Sequence, residues 1–355
     1  MKPLSIGVAI AAAFALLAGI IEGNGGVLGL AADPTRLGVG VVGLMLAFTT
    51  FRSPLISPFL RVFSTIFAVE YVVTGLAYVA VQAGWWPPSF SEAAPPASLA
   101  TTVAIFGLLV HLISFIPVIR QITRLADPYF VTNERGDLEI GGFGARQVTE
   151  RRFACALIVA LVVINQLQVA INIRLSFFNR DWFNAIQNKD SAAFWSLLFG
   201  VFCFWAAIAV VSNLVEYYTE SVLKIRWRRW MTERYYGLWI DDGSLYRAAL
   251  VGQAADNPDQ RISEDVRNFL NSTYAYSISL LSTVSTLVSF SIILWTIPVD
   301  FTVPGTEITF PGLPFWVALA FSLVGTGLTH LIGKPLVQLG LGQRAHEDPE
   351  GIAKD

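Results

Sequence analysis

The sequence predicts an all-α, polytopic integral membrane protein, and three of its properties point to lipid as the main solvent. Hydrophobic residues make up 54% of the 355 and charged residues only 14%, where an average soluble domain carries about 25% charged. Mean hydropathy is +0.57. Residues 5–21, 97–119, 153–173, 192–215 and 268–299 contain no Asp, Glu, Lys or Arg. A helix needs about 20 apolar residues, at about 1.5 Å each, to cross a bilayer, and these runs supply that length.

In chain order the pattern predicts about eight spans, at 5–22, 37–51, 62–83, 97–119, 153–174, 192–217, 270–297 and 313–333. The first resembles a signal peptide, but its apolar run exceeds the usual h-region of about 7–15 residues, so it reads as a membrane helix. The second is short. The third carries Glu70 in the middle of STIFAVEYVVTGL. A charge at mid-bilayer costs about 2.5–3.5 kcal/mol on insertion scales, so Glu70 is either a proton or substrate site or a buried, hydrogen-bonded acid. The fourth carries His111, which costs less to bury because it can stay neutral.

Positive charge orients the spans, because cytoplasmic loops carry an excess of Lys and Arg. Arg120, Arg124, Arg135, Arg146, Arg151 and Arg152 fall in 120–152, and eight more basic residues fall in 218–267; segments 84–96 and 298–314 have none. Both rich segments inside put both termini in the cytoplasm. Arg174, Arg180 and Lys189 disagree, since their loop then lies outside. The organisation expected is a four-span region at 1–119, a cytoplasmic linker at 120–152, a second membrane domain at 153–339 and a polar tail at 340–355.

The sixth span continues as a helix with few breakers from 192 to about 236. A helix of about 45 residues is about 68 Å long, roughly twice the hydrocarbon core of about 30 Å, so its inner part stands in the cytoplasm. Glu216 and Glu220 share a face, as do Glu220 and Lys224 in the favourable order. Lys224, Arg226, Arg228 and Arg229 form either a solvated face or a contact with anionic headgroups. Trp227 and Trp230 suit a helix packed on one side.

A new helix is expected to start at NPDQRISEDVRNF, residues 257–269. Asn257 can cap it, Pro258 is a favoured first residue, Asp259 suits the positive helix end, and Gln260 completes a capping-box-like arrangement. Capping does not explain Arg261, Glu264, Asp265 and Arg267 in quick succession. Such a surface suits docking of a partner or transmission of motion.

No catalytic pattern accompanies these features. The chain has no GxxxxGK[ST], HExxH or GxSxG motif, and no CxxC spacing. His111, His330 and His346 are too scattered to suggest a metal site. Cys155 and Cys203 lie in apolar runs and read as small core residues. A net charge of −2 provides no basic footprint for nucleic acid. Neither an active site nor a resident cofactor is expected.

From Asn179 to about Val337 the sequence resembles the ABC-type permease domain of the SbmA/BacA and YddA-like transporters, related to the peroxisomal ABCD transporters. The resemblance rests on FFNRDWFNAIQNKDSAAFW (177–195), ESVLKIRWRRWMTERYYGLWI (220–240), NPDQRISEDVRNF (257–269), SFSIILW (289–295) and GTGLTHLIGKPLVQL (325–339), in that order. It implies an ABC-exporter-like (type IV) dimer with long helices reaching into the cytoplasm, in which Asn257, Asp259, Gln260, Arg261 and Asp265 belong to an inner gating or coupling motif. Arg226, Trp227, Arg228 and Trp230 lie in the matching cytoplasmic helix. The family core has six helices and the chain supplies four, so the resemblance implies a partial core.

The function expected is the permease part of a transporter for peptides or similar amphipathic solutes in a bacterial inner membrane. A nucleotide-binding domain outside this chain would supply ATP and Mg²⁺. One alternative is proton-driven uptake, with Glu70, Glu216 and Glu220 as candidate carriers. The other is a truncated, non-transporting protein or scaffold. The partners expected are the lipid bilayer and a second copy or another transporter subunit.

Overall fold

The structure is a computed structural model that describes residues 2–21, 34–82, 85, 97–139, 145–241, 258–297, 299, 301–302, 309–310 and 312–347. It forms two compact units, residues 1–285 and 286–355.

The first unit begins with α1 (Lys2–Ile21), α2 (Pro34–Arg52), a 3₁₀ turn (Ser53–Leu55), α3 (Pro58–Gln82) and α4 (Ala97–Ile113). Helix α1 packs on α2 and α3, and α4 packs on α2 and α3. Small residues allow the close approach, as is usual between membrane helices. A Cβ at Gly43 of α2 would collide with the Tyr71 ring and with Ala12. The Tyr71 hydroxyl donates to the Val39 carbonyl at 3.1 Å, joining α3 to α2. Val8, Ala12, Leu46, Phe67 and Ala104 are buried around this junction.

The fourth span was expected at 97–119; within it α4 stops at Ile113 and α5 (Pro117–Val131) leaves at 94°. Pro117 is the cause. Its ring disfavours helical backbone at the preceding residue, and Ile116 is extended, with φ −70° and ψ 122°. Helix α5 then caps α3 from outside: Asp127 Oδ1 accepts from Ser57 Oγ and from the Phe59 backbone N–H, serving donors that a helix start leaves free.

The stretch 120–152, expected as a linker, holds most of α5 and a hairpin. Strands β1 (Arg135–Glu139) and β2 (Ala145–Thr149) pair antiparallel, with Arg135 opposite Thr149. Helix α6 (Glu150–Gln187) follows at once and has 38 residues, about 57 Å at 1.5 Å each. The chain turns at Lys189, whose φ of 55° is left-handed, and Asp190 caps the next helix by accepting from the Ala193 N–H. Then come α7 (Ser191–Leu197), one π-helical turn (Leu198–Phe202) and α8 (Cys203–Asp241). The long helix expected from 192 to about 236 is therefore present, with a π turn inserted.

Helix α9 (Pro258–Thr296) starts within the NPDQ stretch. Asn257 lies outside the described residues. In the second unit, β3 (Phe301–Thr302) pairs with β4 (Thr309–Phe310), and α10 (Leu313–Glu347) follows. Trp295 packs edge-on against Phe315 at 5.6 Å.

Five described helical segments are long and apolar enough to cross a membrane: Pro58–Ala77, Glu150–Gln187, Ser191–Ile240, Asp259–Trp295 and Leu313–Pro335. The bent pair Ala100–Ile113 and Pro117–Val131 is a sixth candidate, and Lys2–Leu17 and Val39–Leu55 are shorter apolar helices. The chain is an all-α, multi-pass membrane protein.

Candidate functional site

The polar half of α8 is where most of the sequence-selected residues converge. Arg226 reaches α6 with Nη2 2.5 Å from Glu150 Oε1 and Nε 3.2 Å from Oε2. Its Nη1 donates to the Asp137 carbonyl of β1 at 3.0 Å. Tyr129 of α5 donates to Glu150 Oε2 at 3.1 Å. The Arg226–Glu150 pair thus joins α8, α6, α5 and the hairpin. A Cβ at Gly136 would overlap Glu150 Oε1 and Arg226 Nη2, so glycine makes room for the pair.

Trp227, 2% exposed, fills the space beside this knot. It stacks on Tyr129 at 5.6 Å and 9° and meets Phe130 edge-on at 5.2 Å. Phe59 of α3 and Phe269 of α9 close the cage. Trp230 is also buried and donates its indole N–H to Glu134. Arg229 points away, exposed, and pairs with Glu233 at 2.9 Å. The basic cluster therefore splits: Arg226 is an interior tie, and Arg229 belongs to a solvated face.

Arg228 faces the start of α9, where its Nη2 donates to Ser263 Oγ at 3.1 Å. About two turns further along α8, the Tyr236 hydroxyl donates to the Asp259 carbonyl at 3.1 Å. Asp259, Gln260, Arg261 and Asp265 are all exposed. Gln260 gives its side-chain amide to Glu264 Oε1 at 3.0 Å. Val266 and Leu270 turn inward and anchor the helix. This arrangement presents a charged face while the same turns are held to α8 through Ser263 and the Asp259 carbonyl.

The carboxylates of the apolar zone fall into two places. Gln168 of α6 donates to Asn213 Oδ1 at 2.9 Å and to Glu216 Oε2 at 2.6 Å. Lys224 donates to Glu220 at 2.5 Å and lies over the Tyr274 ring of α9, 4.6 Å from its centroid. Asn165 is 3% exposed, and its Oδ1 has no partner among the described residues. This polar seam runs where α6, α8 and α9 meet. Glu70 stands apart on α3; its Oε2 is buried without a partner among the described residues. No hydrogen bond, ion pair or ring contact links it to Glu216 or Glu220.

Sequence reading missed Tyr129, Glu134, Glu150, Gln168, Tyr236 and Ser263. Glu150 carried a faint signal, being an acid at a helix start just after a strand, where it also favours the positive helix end. Gln168 lay inside an apolar run, where a polar side chain is itself a signal. Nothing local marked Tyr236 or Ser263.

A family profile for the ABC transporter transmembrane region 2 matches residues 148–348, more than half of the chain. The Escherichia coli inner membrane ABC transporter ATP-binding protein YddA is 31% identical over 195 residues, covering 54% of this chain and 35% of the relative. The Arabidopsis thaliana chloroplastic ABC transporter D family member 2 is 29% identical over 229 residues, covering 64% of this chain and 28% of the relative. The human lysosomal cobalamin transporter ABCD4 is 24% identical over 139 residues, covering 38% and 22%. The chain spans about a third of the length of the first of these relatives.

Proposed function

The chain belongs to the ABC transporter transmembrane region 2 family, and from that premise we propose that it forms the membrane pathway of an ABC-type transporter driven by a nucleotide-binding domain on another stretch of polypeptide. The observation that carries this reading is the junction of α8 and α9. Arg228 holds Ser263, and Tyr236 holds the Asp259 carbonyl. The exposed Asp259, Gln260, Arg261 and Asp265 then form a face onto which a soluble domain could push. A displacement there passes to α8 through two hydrogen bonds, and along α8 to the polar seam at Glu220 and Glu216.

The solutes proposed are peptides or similar amphipathic molecules, because the seam offers both amide and charged partners within apolar walls. The topology proposed has both termini in the cytoplasm, on the ground of the basic residues of 120–152 and 218–267. The membrane proposed is a bacterial inner membrane, and the assembly a homodimer or a pairing with a related subunit. In the most apolar stretches of Ser191–Ile240 and Leu313–Pro335, no residue is buried within the chain, which leaves surface for such a partner as well as for lipid. The domain limits proposed remain 1–119, 120–152, 153–339 and 340–355.

Proton-driven uptake is the second reading, favoured by Glu216 and Glu220 in a seam otherwise made of neutral partners and Lys224. Reconstitution with an ATP-binding partner separates the two. Uptake lost on replacing the partner's P-loop lysine supports ATP drive. Uptake that survives this replacement and collapses with a protonophore overturns it in favour of protons.

A further inference from the structure

Beside the bend between α4 and α5 lie two open spaces, one of mixed lining with exposed arginines and one almost wholly apolar. The first, about 710 Å³, is lined by Arg52 at the end of α2, His111 of α4, and Arg120 and Arg124 of α5. Arg120 and Arg124 are four residues apart and share a helix face. The one acid in the wall, Asp127, has its Oδ1 committed to Ser57 and to the Phe59 N–H. Among the described residues, no ion pair involves Arg52, Arg120 or Arg124. The space thus has three guanidinium groups and one carboxylate, a net positive lining in which none of the three arginines is ion-paired among the described residues.

The second space is an apolar cleft of about 310 Å³ between α3, α4, α5 and α9, walled by side chains such as Phe63, Phe106, Val110, Leu280 and Val284. Leu60 and Thr123 line both spaces, so the basic one and the apolar one meet there. Around the bend, Phe115, Ile116, Val118 and Leu125 are exposed. An amphipathic helix with an exposed apolar rim beside arginines is suited to the headgroup boundary of a bilayer.

We propose that the two spaces together bind one anionic phospholipid, its phosphate on Arg52, Arg120 and Arg124 and an acyl chain in the cleft. Charge selects the headgroup, because guanidinium groups match phosphate oxygens in paired hydrogen bonds. Continuity selects a lipid over a free anion, which would leave the apolar cleft empty. A zwitterionic lipid would fill the cleft and offer the same phosphate, but its quaternary ammonium would add a like charge among the arginines. Bound in this way, the lipid bridges the α4–α5 bend to Leu280 and Val284 of α9, and so joins the N-terminal helices to a helix of the transport region. The inference does not depend on which energy source drives transport.

The test uses the full chain, purified in neutral detergent and stripped of lipid, with binding followed by native mass spectrometry and thermal shift. The probes are dioleoylphosphatidylglycerol, dioleoylphosphatidylcholine and inorganic phosphate. One phosphatidylglycerol per chain is expected, with a raised Tm, weaker retention of phosphatidylcholine and no shift with phosphate. Arg120→Gln combined with Arg124→Gln is expected to weaken phosphatidylglycerol binding roughly 30-fold, at about 1 kcal/mol per arginine. Ser272→Trp, at an exposed position lining the cleft, is expected to weaken it with all three arginines intact. Equal affinity for both lipids, or phosphatidylglycerol binding unchanged in the double variant, overturns the proposal. So does a full thermal shift with phosphate alone, which assigns the basic space to a free anion.

Discussion

Arg226 and Glu150, 76 residues apart in sequence, meet through two guanidinium nitrogens and both carboxylate oxygens, at 2.5 and 3.2 Å. Glu150 is the first residue of α6 and Arg226 sits in the polar half of α8, so the pair sets how these two long helices stand against each other. Tyr129 and the Asp137 carbonyl complete the shell. A mostly buried charge is tolerable only when it is paired and hydrogen-bonded in this way.

Removing one partner strands the other. Arg226→Ala is expected to destabilise the protein by roughly 3–5 kcal/mol, seen as a lowered Tm in detergent. Arg226→Lys recovers only part of this, because an ammonium cannot make the same two-point contact and also reach the Asp137 carbonyl. Glu150→Ala with Arg226→Ala should cost less than the two single changes added together. Strict additivity would show that the pair does not hold the helices.

Trp227 acts by volume and ring contact. Its Nε1 has no hydrogen-bond partner among the described residues, so the indole N–H contributes little. Trp227→Phe is expected to fold and to lose much less stability than Trp227→Ala, for which a loss of roughly 3–5 kcal/mol is expected. Equal losses in the two variants would contradict the packing account.

The face of α9 should behave in the opposite manner. Asp259 and Arg261 are exposed, and exposed substitutions usually change stability by no more than about 0.5 kcal/mol. Asp259→Ala and Arg261→Ala are expected to insert and fold normally and to abolish transport in reconstituted vesicles. Tyr236→Phe removes the hydroxyl that holds the Asp259 carbonyl and should lower transport with the same normal insertion. Full uptake in all three variants removes this face from the coupling route.

The seam provides a test of the energy source. Glu216→Gln removes a charge while keeping a hydrogen-bond acceptor for Gln168. Under ATP drive, the pH profile of uptake should be unchanged in Glu216→Gln and in Glu70→Gln. A profile flattened by either substitution moves the engine to protons and identifies the carrier.

The sequence by itself determined that the chain is helical and membrane-embedded, because long apolar runs with few charges are the segments that lipid accepts most readily as helices. It also determined that one helix outruns the bilayer and that another begins at Pro258, since length and capping are local properties. It singled out Arg226, Trp227, Arg228 and Trp230 without separating their roles. Only the tertiary structure decided that Arg226 ties to Glu150 while Arg229 faces out, that Glu216 joins Gln168 while Glu70 has no partner among the described residues, and that the fourth span bends at Ile116. The physical reason is that hydropathy governs whether a segment enters lipid, where any apolar face is equally well solvated. Which face packs, and which polar group it meets, depends on the register and rotation of helices far apart in the chain.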